Sequence, residues 1–465
     1  MSIVSAIFNA GKVTTFEEAF GVKNITSPEM RQAIADWYGL YYANPVQEGE
    51  DPCQRIPTAI VAKLYKAVFS EYSSQAEQSG PKGDYISDVL DGLDAVRNRA
   101  VQQMLIGGQC YLKPIMAAPL TFCVVDRENY IPLARDIAGN IIDIGTLEQT
   151  VEGSVVYTLL ERRTVDALGY LTIESRLYRS NDKATLGVPV PLGALEKYAE
   201  LVPVLRLPQP VGSIGLIPLS CPAENCVDGT QDPVSVYAAA VGLIHNINRN
   251  ESLLNGEFER GQSRVFVSSD LLRKDSSGRR TLDDNLFVGV VDDDPEAVGM
   301  TIFSPALREA NFLARKTEYL RNVESLIGLK RGLLSEVETQ EKTATEITSS
   351  AGEYNLTVID FQRAWEKAVR EAVRVCNVLG QMYGLTSGGA VDPDTDISIS
   401  WGNGILYDED KEWSTLMQMV AAGILKPEIA IAWKYDLPWD KPEDLAAIRE
   451  KYMPDTESDT NQSED

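Results

Sequence analysis

One histidine in 465 residues, His245, leaves almost no imidazole for catalysis or metal ligation. Cysteine is scarce too, with six thiols at Cys53, Cys110, Cys123, Cys221, Cys226 and Cys376. Only Cys221 and Cys226 lie close together, and no second pair accompanies them, so the spacing does not make a zinc site. A chain this long with no secretion signal does not call for a disulfide framework, and most of the thiols read as small core residues. No run of about 20 apolar residues exists, which excludes a membrane-spanning helix. The first fifteen residues are mildly apolar but lack a basic n-region and a cleavage site, so synthesis in the cytoplasm is expected. Basic charge is short as well: 43 Lys and Arg stand against 68 Asp and Glu, a net charge of -25. That balance argues against a protein that grips nucleic acid by neutralising its phosphates. It is compatible with a surface past which DNA slides without adhering, because like charge suppresses non-specific contact. Walker loops, Gly-x-Ser-x-Gly elbows and zinc signatures are all missing.

What is present is the composition of a folded protein, 44% hydrophobic and 24% charged, in a chain long enough for more than one domain. Its most ordered pattern runs from Pro305 to Gly384. A helix is predicted over Leu307 to Leu329, then a polar hinge from Lys330 to Lys342, then a much longer helix from Thr343 to Gly384. In the long one, apolar residues recur at Ala344, Ile347, Ala351, Tyr354, Val358, Phe361, Trp365, Ala368, Ala372, Val375, Leu379 and Met382. Steps of three and four place them on one face, and the helix would be about 60 Å long at about 1.5 Å per residue. Periodicity alone is equally that of a core helix in a large α/β protein.

Residues 1–107 read as mainly helical. Ser27-Pro28-Glu29 is a helix start that sends Met30, Ile34, Trp37 and Tyr38 into a core. Further helices are expected over Pro57 to Glu71 and Tyr85 to Ile106, with Ser73 to Gly83 as a polar loop between them. After Gly107-Gly108 the period becomes two. Strands are expected at Gln109 to Ile115, Leu120 to Val125, Ile141 to Leu147, Ser154 to Thr164, Leu171 to Arg179 and Gly187 to Pro191, forming an antiparallel meander. A helix over Val234 to Arg260 carries Val236, Ala240, Leu243, Ile247, Leu254 and Phe258 on one face, and Gly261 ends it. Residues 262–304 form an insertion with strands at Val265 to Val267 and Leu286 to Val291, held between two helices. A short strand follows at Ile397 to Trp401, then helices at Asp408 to Ala422, Lys426 to Lys434 and Pro442 to Lys451. The acidic tail from Asp455 to Asp465 has no apolar residue and is expected to be disordered.

Charged clusters are the remaining candidates for chemistry. Asp126-Arg127-Glu128 and Glu161-Arg162-Arg163 are read as solvated strand edges. The run Asp292-Asp293-Asp294-Pro295-Glu296 lacks the alternate spacing of a calcium loop and is read as an exposed turn. His245, alone on its helix, is read as a packed or hydrogen-bonded residue.

Four stretches carry a family likeness. They are Gly107-Gly108-Gln109-Cys110-Tyr111-Leu112-Lys113-Pro114, Lys342-Thr343-Ala344-Thr345-Glu346-Ile347, Ile397-Ser398-Ile399-Ser400-Trp401 with Asp408-Glu409, and Ala421-Ala422-Gly423-Ile424-Leu425-Lys426-Pro427-Glu428. In order and spacing the chain resembles the portal proteins of tailed bacteriophages, in particular those of siphophages of Gram-positive hosts, from about residue 20 to 450. The resemblance implies an α+β portal-like fold with wing, helical stem, small α/β clip and short helical crown. It implies assembly as a ring, usually of twelve copies, at one vertex of the capsid. By position, residues 1–232 and the long helix with its loop, 343–391, would be the wing. Residues 233–261 and 305–329 would be the stem, 262–304 the clip and 330–342 the tunnel loop. Residues 392–454 would be the crown, which is too short here to be tall.

The resemblance also implies partners. These are the terminase large subunit and then a head-tail adaptor at the clip, the major capsid and scaffolding proteins, and double-stranded DNA held without regard to sequence in the channel. No cofactor and no catalysis are implied, since a terminase supplies ATP hydrolysis. The protein would sit in the virion after assembly in the host cytoplasm. In the tunnel loop, Lys330, Arg331, Glu336, Glu338 and Lys342 would face the DNA, the two leading cations giving a basic collar in an acidic channel. In the clip, Arg273, Lys274, Arg279 and Arg280 would dock partners. Two rival readings stand beside this one. The first is an α+β enzyme using acids such as Glu128, Glu161 or Glu346. The second is the portal of a gene-transfer or prophage-derived particle.

Overall fold

Ser27 opens the first long helix as its sequence suggests: its Oγ accepts the Met30 N–H at 3.0 Å, and Pro28 follows at the first helical position. The computed structural model describes residues 15–42, 53–116, 119–261, 264–268, 287–290, 300–303, 306–335, 344–386, 391–401, 409–435, 437–439 and 441–453. Helices and antiparallel sheets share the chain, an α+β protein. Two compact units divide it, Met1–Ser400 and Trp401–Asp465.

In the first unit, four helices come first: α1 (Thr15–Phe20), α2 (Pro28–Tyr42), α3 (Ile56–Phe69) and α4 (Pro81–Gly107). The expected core residues Met30, Ile34, Trp37 and Tyr38 are all buried. Gly108 stops α4 with φ +82°, and a Cβ there would lie 2.5 Å from the Pro233 carbonyl oxygen, so only glycine fits. The period-two segment then builds two sheets. One has the order β10-β2-β3, from β2 (Gln109–Ile115), β3 (Thr121–Val125) and β10 (Ile217–Ser220). The other is the meander β4 (Tyr130–Arg135), β5 (Ile141–Glu152), β6 (Val155–Val165), β7 (Tyr170–Ser180) and β8 (Val188–Val190), with β9 (Val204–Pro210) also paired to β7. Phe16 of α1 seals this meander against Ile131, Leu133, Leu147, Leu160 and Tyr178.

Several expectations give way here. Ser73 to Gly83 is not a loop. Ser73–Ala76 is strand β1, paired antiparallel with β14 (Ile397–Ser400), and α4 begins at Pro81. Nothing apolar marks β1; its hydrogen-bond partner arrives more than 300 residues later. Strands β4, β9 and β10 were not anticipated, and each contains proline, which reads as punctuation rather than strand.

The charged clusters are not solvated edges either. Arg127 is 1% exposed, donates to the Tyr130 carbonyl at 3.3 Å and to Thr26 Oγ1 at 3.2 Å, and lies over the Tyr130 ring. Glu161 and Arg163 are buried as an ion pair. Of the six cysteines, Cys110, Cys221 and Cys376 are buried, Cys53 is half-buried, and Cys123 and Cys226 are exposed.

Helix α5 (Val241–Arg260) starts later than its periodicity suggests, because residues 234–240 enter through a buried extended segment and a 3-10 turn. Phe258 is 41% exposed rather than in the core, and His245 is exposed rather than packed. Strands β11 (Arg264–Ser268), β12 (Phe287–Val290) and β13 (Met300–Phe303) form a small sheet in the order β12-β11-β13, β13 being unanticipated. Helix α6 (Glu309–Ile327) pairs with α5, and the long helix α7 (Ala344–Met382) has 39 residues. Its described apolar face is buried at Val358, Phe361, Trp365, Ala368, Ala372, Val375 and Leu379. Trp365 anchors it, edge-on to Phe69 with ring centroids 5.6 Å apart.

The second unit contains α8 (Glu409–Ala421), α9 (Pro427–Lys434) and α10 (Pro442–Tyr452), as expected. Ala430, Ala432 and Ile448 form its small core, and Arg449 clamps Glu428 with Nε–Oε1 2.6 Å. The expected disordered tail lies outside the described residues.

Candidate functional site

Helices α5 and α6 place the turn that sequence singled out. Asn250 Nδ2 of α5 donates to the Phe312 carbonyl of α6 at 3.1 Å, and Lys316 bridges Glu251 and Gln54, both at 3.0 Å. At the far end Arg308 forks onto Glu257 at 2.9 and 2.7 Å, a hydrogen-bonded pair that holds the Glu257 carboxyl below its usual range. Glycine suits that junction, since a Cβ on Gly261 would sit 2.8 Å from the Glu257 carbonyl oxygen.

The other end of α6 is closed by a Schellman motif. Gly328 is left-handed at φ +73°, its N–H reaching Ser325 O at 3.4 Å while Leu329 N–H reaches Glu324 O at 2.8 Å. A turn follows at once, with Leu333 N–H on Lys330 O at 3.2 Å and Gly332 at φ +90° in the third position that a type II turn reserves for glycine. Lys330 and Arg331 sit on this turn, both exposed. Glu336, Glu338 and Lys342 lie outside the described residues, as do Arg273, Lys274, Arg279, Arg280 and the run from Asp292 to Glu296. The structure thus brings together two of the nine residues named from sequence.

One residue here escaped sequence reasoning. Glu324, 0% exposed, turns its carboxylate into the turn. Oε1 accepts the N–H groups of Gly332 at 3.2 Å, Leu334 at 2.5 Å and Ser335 at 2.9 Å, and Oε2 accepts the Ser335 hydroxyl at 2.8 Å. A signal for it existed. An acid in the last turn opposes the helix dipole, so a glutamate just ahead of Gly328 and Gly332 needs donors from outside the helix.

Two clefts test the enzyme reading. The larger, about 970 Å³, lies between α7 and the sheets, and part of its charged wall is paired: Arg370 with Glu366 at 2.7 Å and Asp394 at 2.9 Å, and Arg374 with Glu371 at 2.6 Å. The smaller, about 350 Å³, contains Lys113, Glu161, Cys123 and Glu148. Burial pushes the Glu161 carboxyl up, but Arg163 and then Lys113 outweigh it and bring the group down to about 2. Lost hydration on the side that faces the cleft raises the thiol of the otherwise exposed Cys123. Neither group is then a proton donor or thiolate nucleophile at neutral pH. The Glu346 side chain is outside the described set.

Among the described residues no cluster of His, Cys, Asp or Glu could hold a metal, and no helix is long and apolar enough to cross a membrane. No curated protein matches the chain. The family of phage portal proteins described as SPP1 Gp6-like matches it over residues 71–451, and the chain belongs to that family.

Proposed function

We propose that copies of this chain surround a channel through which double-stranded DNA enters and leaves the phage head. Family membership makes the protein a structural, homo-oligomeric component of the phage capsid and a head-tail connector. The finer reading is that the Lys330–Leu333 turn faces the channel. The observation that carries it is the exposure of two adjacent cations, Lys330 and Arg331, in a chain of net charge -25. Repeated around a ring, they form a basic collar that touches passing phosphates weakly and without reading bases. Residues 262–304 are the clip, docking the terminase large subunit and later the head-tail adaptor through Arg273, Lys274, Arg279 and Arg280. Helices α5 and α6 are the stem, the N-terminal residues to 232 with α7 the wing, and residues 392–454 a short crown. The major capsid and scaffolding proteins surround the ring in the virion.

The test is charge reversal at both positions, Lys330→Glu with Arg331→Glu, in a phage whose heads are assembled and filled in vitro. Ring assembly stays intact, and DNA packaging or retention changes several-fold. Normal packaging by the double variant overturns the collar.

A further inference from the structure

We infer that Glu324 is a positioning residue that latches the basic turn, fixing Lys330 and Arg331 outward by gripping the backbone just behind them. The inference rests on the collar reading for its functional half, while its structural half stands on geometry alone. Three consecutive features lead to it. The α6 terminus is closed by backbone, the Gly328 and Leu329 N–H groups taking the Ser325 and Glu324 carbonyls, and a carboxylate, itself an acceptor, could not serve those groups. The Glu324 carboxylate is therefore not a helix cap, and its helix offers it no donors at that end. All its hydrogen bonds go forward, to the N–H groups of Gly332, Leu334 and Ser335 and to the Ser335 hydroxyl.

Such a cradle of backbone N–H groups around an anion is the arrangement that binds free anions elsewhere in proteins, and here the protein supplies its own. Burial strengthens each bond, because no water competes for the carboxylate and its bonds are charge-assisted. Gly332 at φ +90° turns the chain that follows it back towards Glu324, where the Leu334 and Ser335 N–H groups meet the carboxylate, while Lys330 and Arg331 ahead of it stay exposed. Just before the turn α7 comes close, since a Cβ on Gly328 would sit 2.3 Å from Thr357 Oγ1. A turn gripped by the Glu324 carboxylate keeps its cations at one height. A freely hinged loop would spread them over a range and blur the collar.

The experiment compares Glu324→Gln, Ser335→Ala and Ser335→Thr in the assembled full-length protein. Glu324→Gln keeps the shape but removes the charge, and Ser335→Ala removes a single bond if the first variant assembles poorly. Ser335→Thr retains the hydroxyl donor. Two readouts are taken: amide hydrogen exchange in peptides covering residues 324–335 together with tryptic cleavage after Lys330 and Arg331, and DNA packaging. The latch requires roughly ten- to a hundredfold faster exchange and cleavage in Glu324→Gln, the size of losing one charge-assisted hydrogen bond. A smaller effect in the same direction follows Ser335→Ala, and Ser335→Thr returns both readouts towards the parent.

Unchanged exchange in Glu324→Gln overturns the latch whatever packaging does. A loosened turn with normal packaging, where charge reversal of Lys330 and Arg331 does alter packaging, overturns the positioning role. Normal packaging in every variant overturns the collar reading instead, and exchange alone then decides the latch.

Discussion

Glu161 shows how far a residue's role departs from its local sequence. Within Glu161-Arg162-Arg163 nothing distinguishes an exposed edge from a buried triad. The difference is made by Lys113 on β2, which reaches Glu161 Oε2 at 2.9 Å while Arg163 Nε takes Oε1 at 2.6 Å. Replacing Glu161 with Gln leaves two cations without their anion and is expected to cost about 3–5 kcal/mol in denaturant unfolding. Its pH signature follows from a carboxyl held at about 2, below its ordinary 4.5. The stabilisation is complete above pH 4.5 and disappears as pH falls through about 2. The parent-minus-variant difference therefore shrinks over that window, by about 3 kcal/mol. Asp126 runs the other way. Burial, against the pull of Arg99, raises its carboxyl from 3.8 to about 6, so ionising it opposes folding and stability falls as pH rises from about 4 to 6. Asp126→Asn removes that limb. A variant whose pH profile parallels the parent's across its window contradicts the assignment.

At the scale of elements, long helices and the meander could be read in advance because their period repeats. Trp365, Ala368, Ala372 and Val375 are buried where the three-and-four spacing puts them. What could not be read depends on a distant partner. Strand β1 is Ser-Ser-Gln-Ala, with no strand pattern of its own, and exists because Ile397 to Ser400 lie alongside. Strand β9 includes Pro208 and Pro210 and is tolerated because it lies at the margin of its sheet, paired to β7 alone. The candidate site was half legible in the same sense. Lys330 and Arg331 stand out by charge and by neighbouring Gly332, whereas Glu324 carries only the mark of an acid set against the helix dipole, and its donors arrive when the chain folds back onto it.

The α6–α7 junction offers a direct check on that fold-back. Gly328→Ala places an L side chain at φ +73°, costing about 1–2 kcal/mol, and also drives it against Thr357. In a Thr357→Ala background the contact is relieved and only the backbone strain remains. The glycine substitution is therefore expected to cost less there, by at least about 0.5 kcal/mol in a double-mutant cycle. Strict additivity would mean that Gly328 and Thr357 do not meet.

For the whole molecule, the question is what covers the α5–α6 pair. Helices α5 and α6 pack on each other and still leave Leu253, Phe258, Leu313 and Leu326 each more than 40% exposed. A helix hairpin with apolar residues on its outer faces is uneconomical for an isolated chain, and a chain of a homo-oligomeric family has its own copies at hand. The acidic surface works against random association, since a net charge of -25 per copy makes copies repel except where apolar area is buried. Assembly should therefore be more sensitive to a charge placed among these apolar residues than to one placed elsewhere on the exterior. The parent protein is expected to give a mass of about a dozen copies in solution and a ring with a central hole by negative stain. Leu313→Glu with Leu253→Glu is expected to give the single-chain mass with the parent's helical content, because both side chains are already accessible within one chain. Rings formed equally well by the double variant would show that copies meet elsewhere. A parent chain that stays monomeric even with its capsid partners would remove the channel itself.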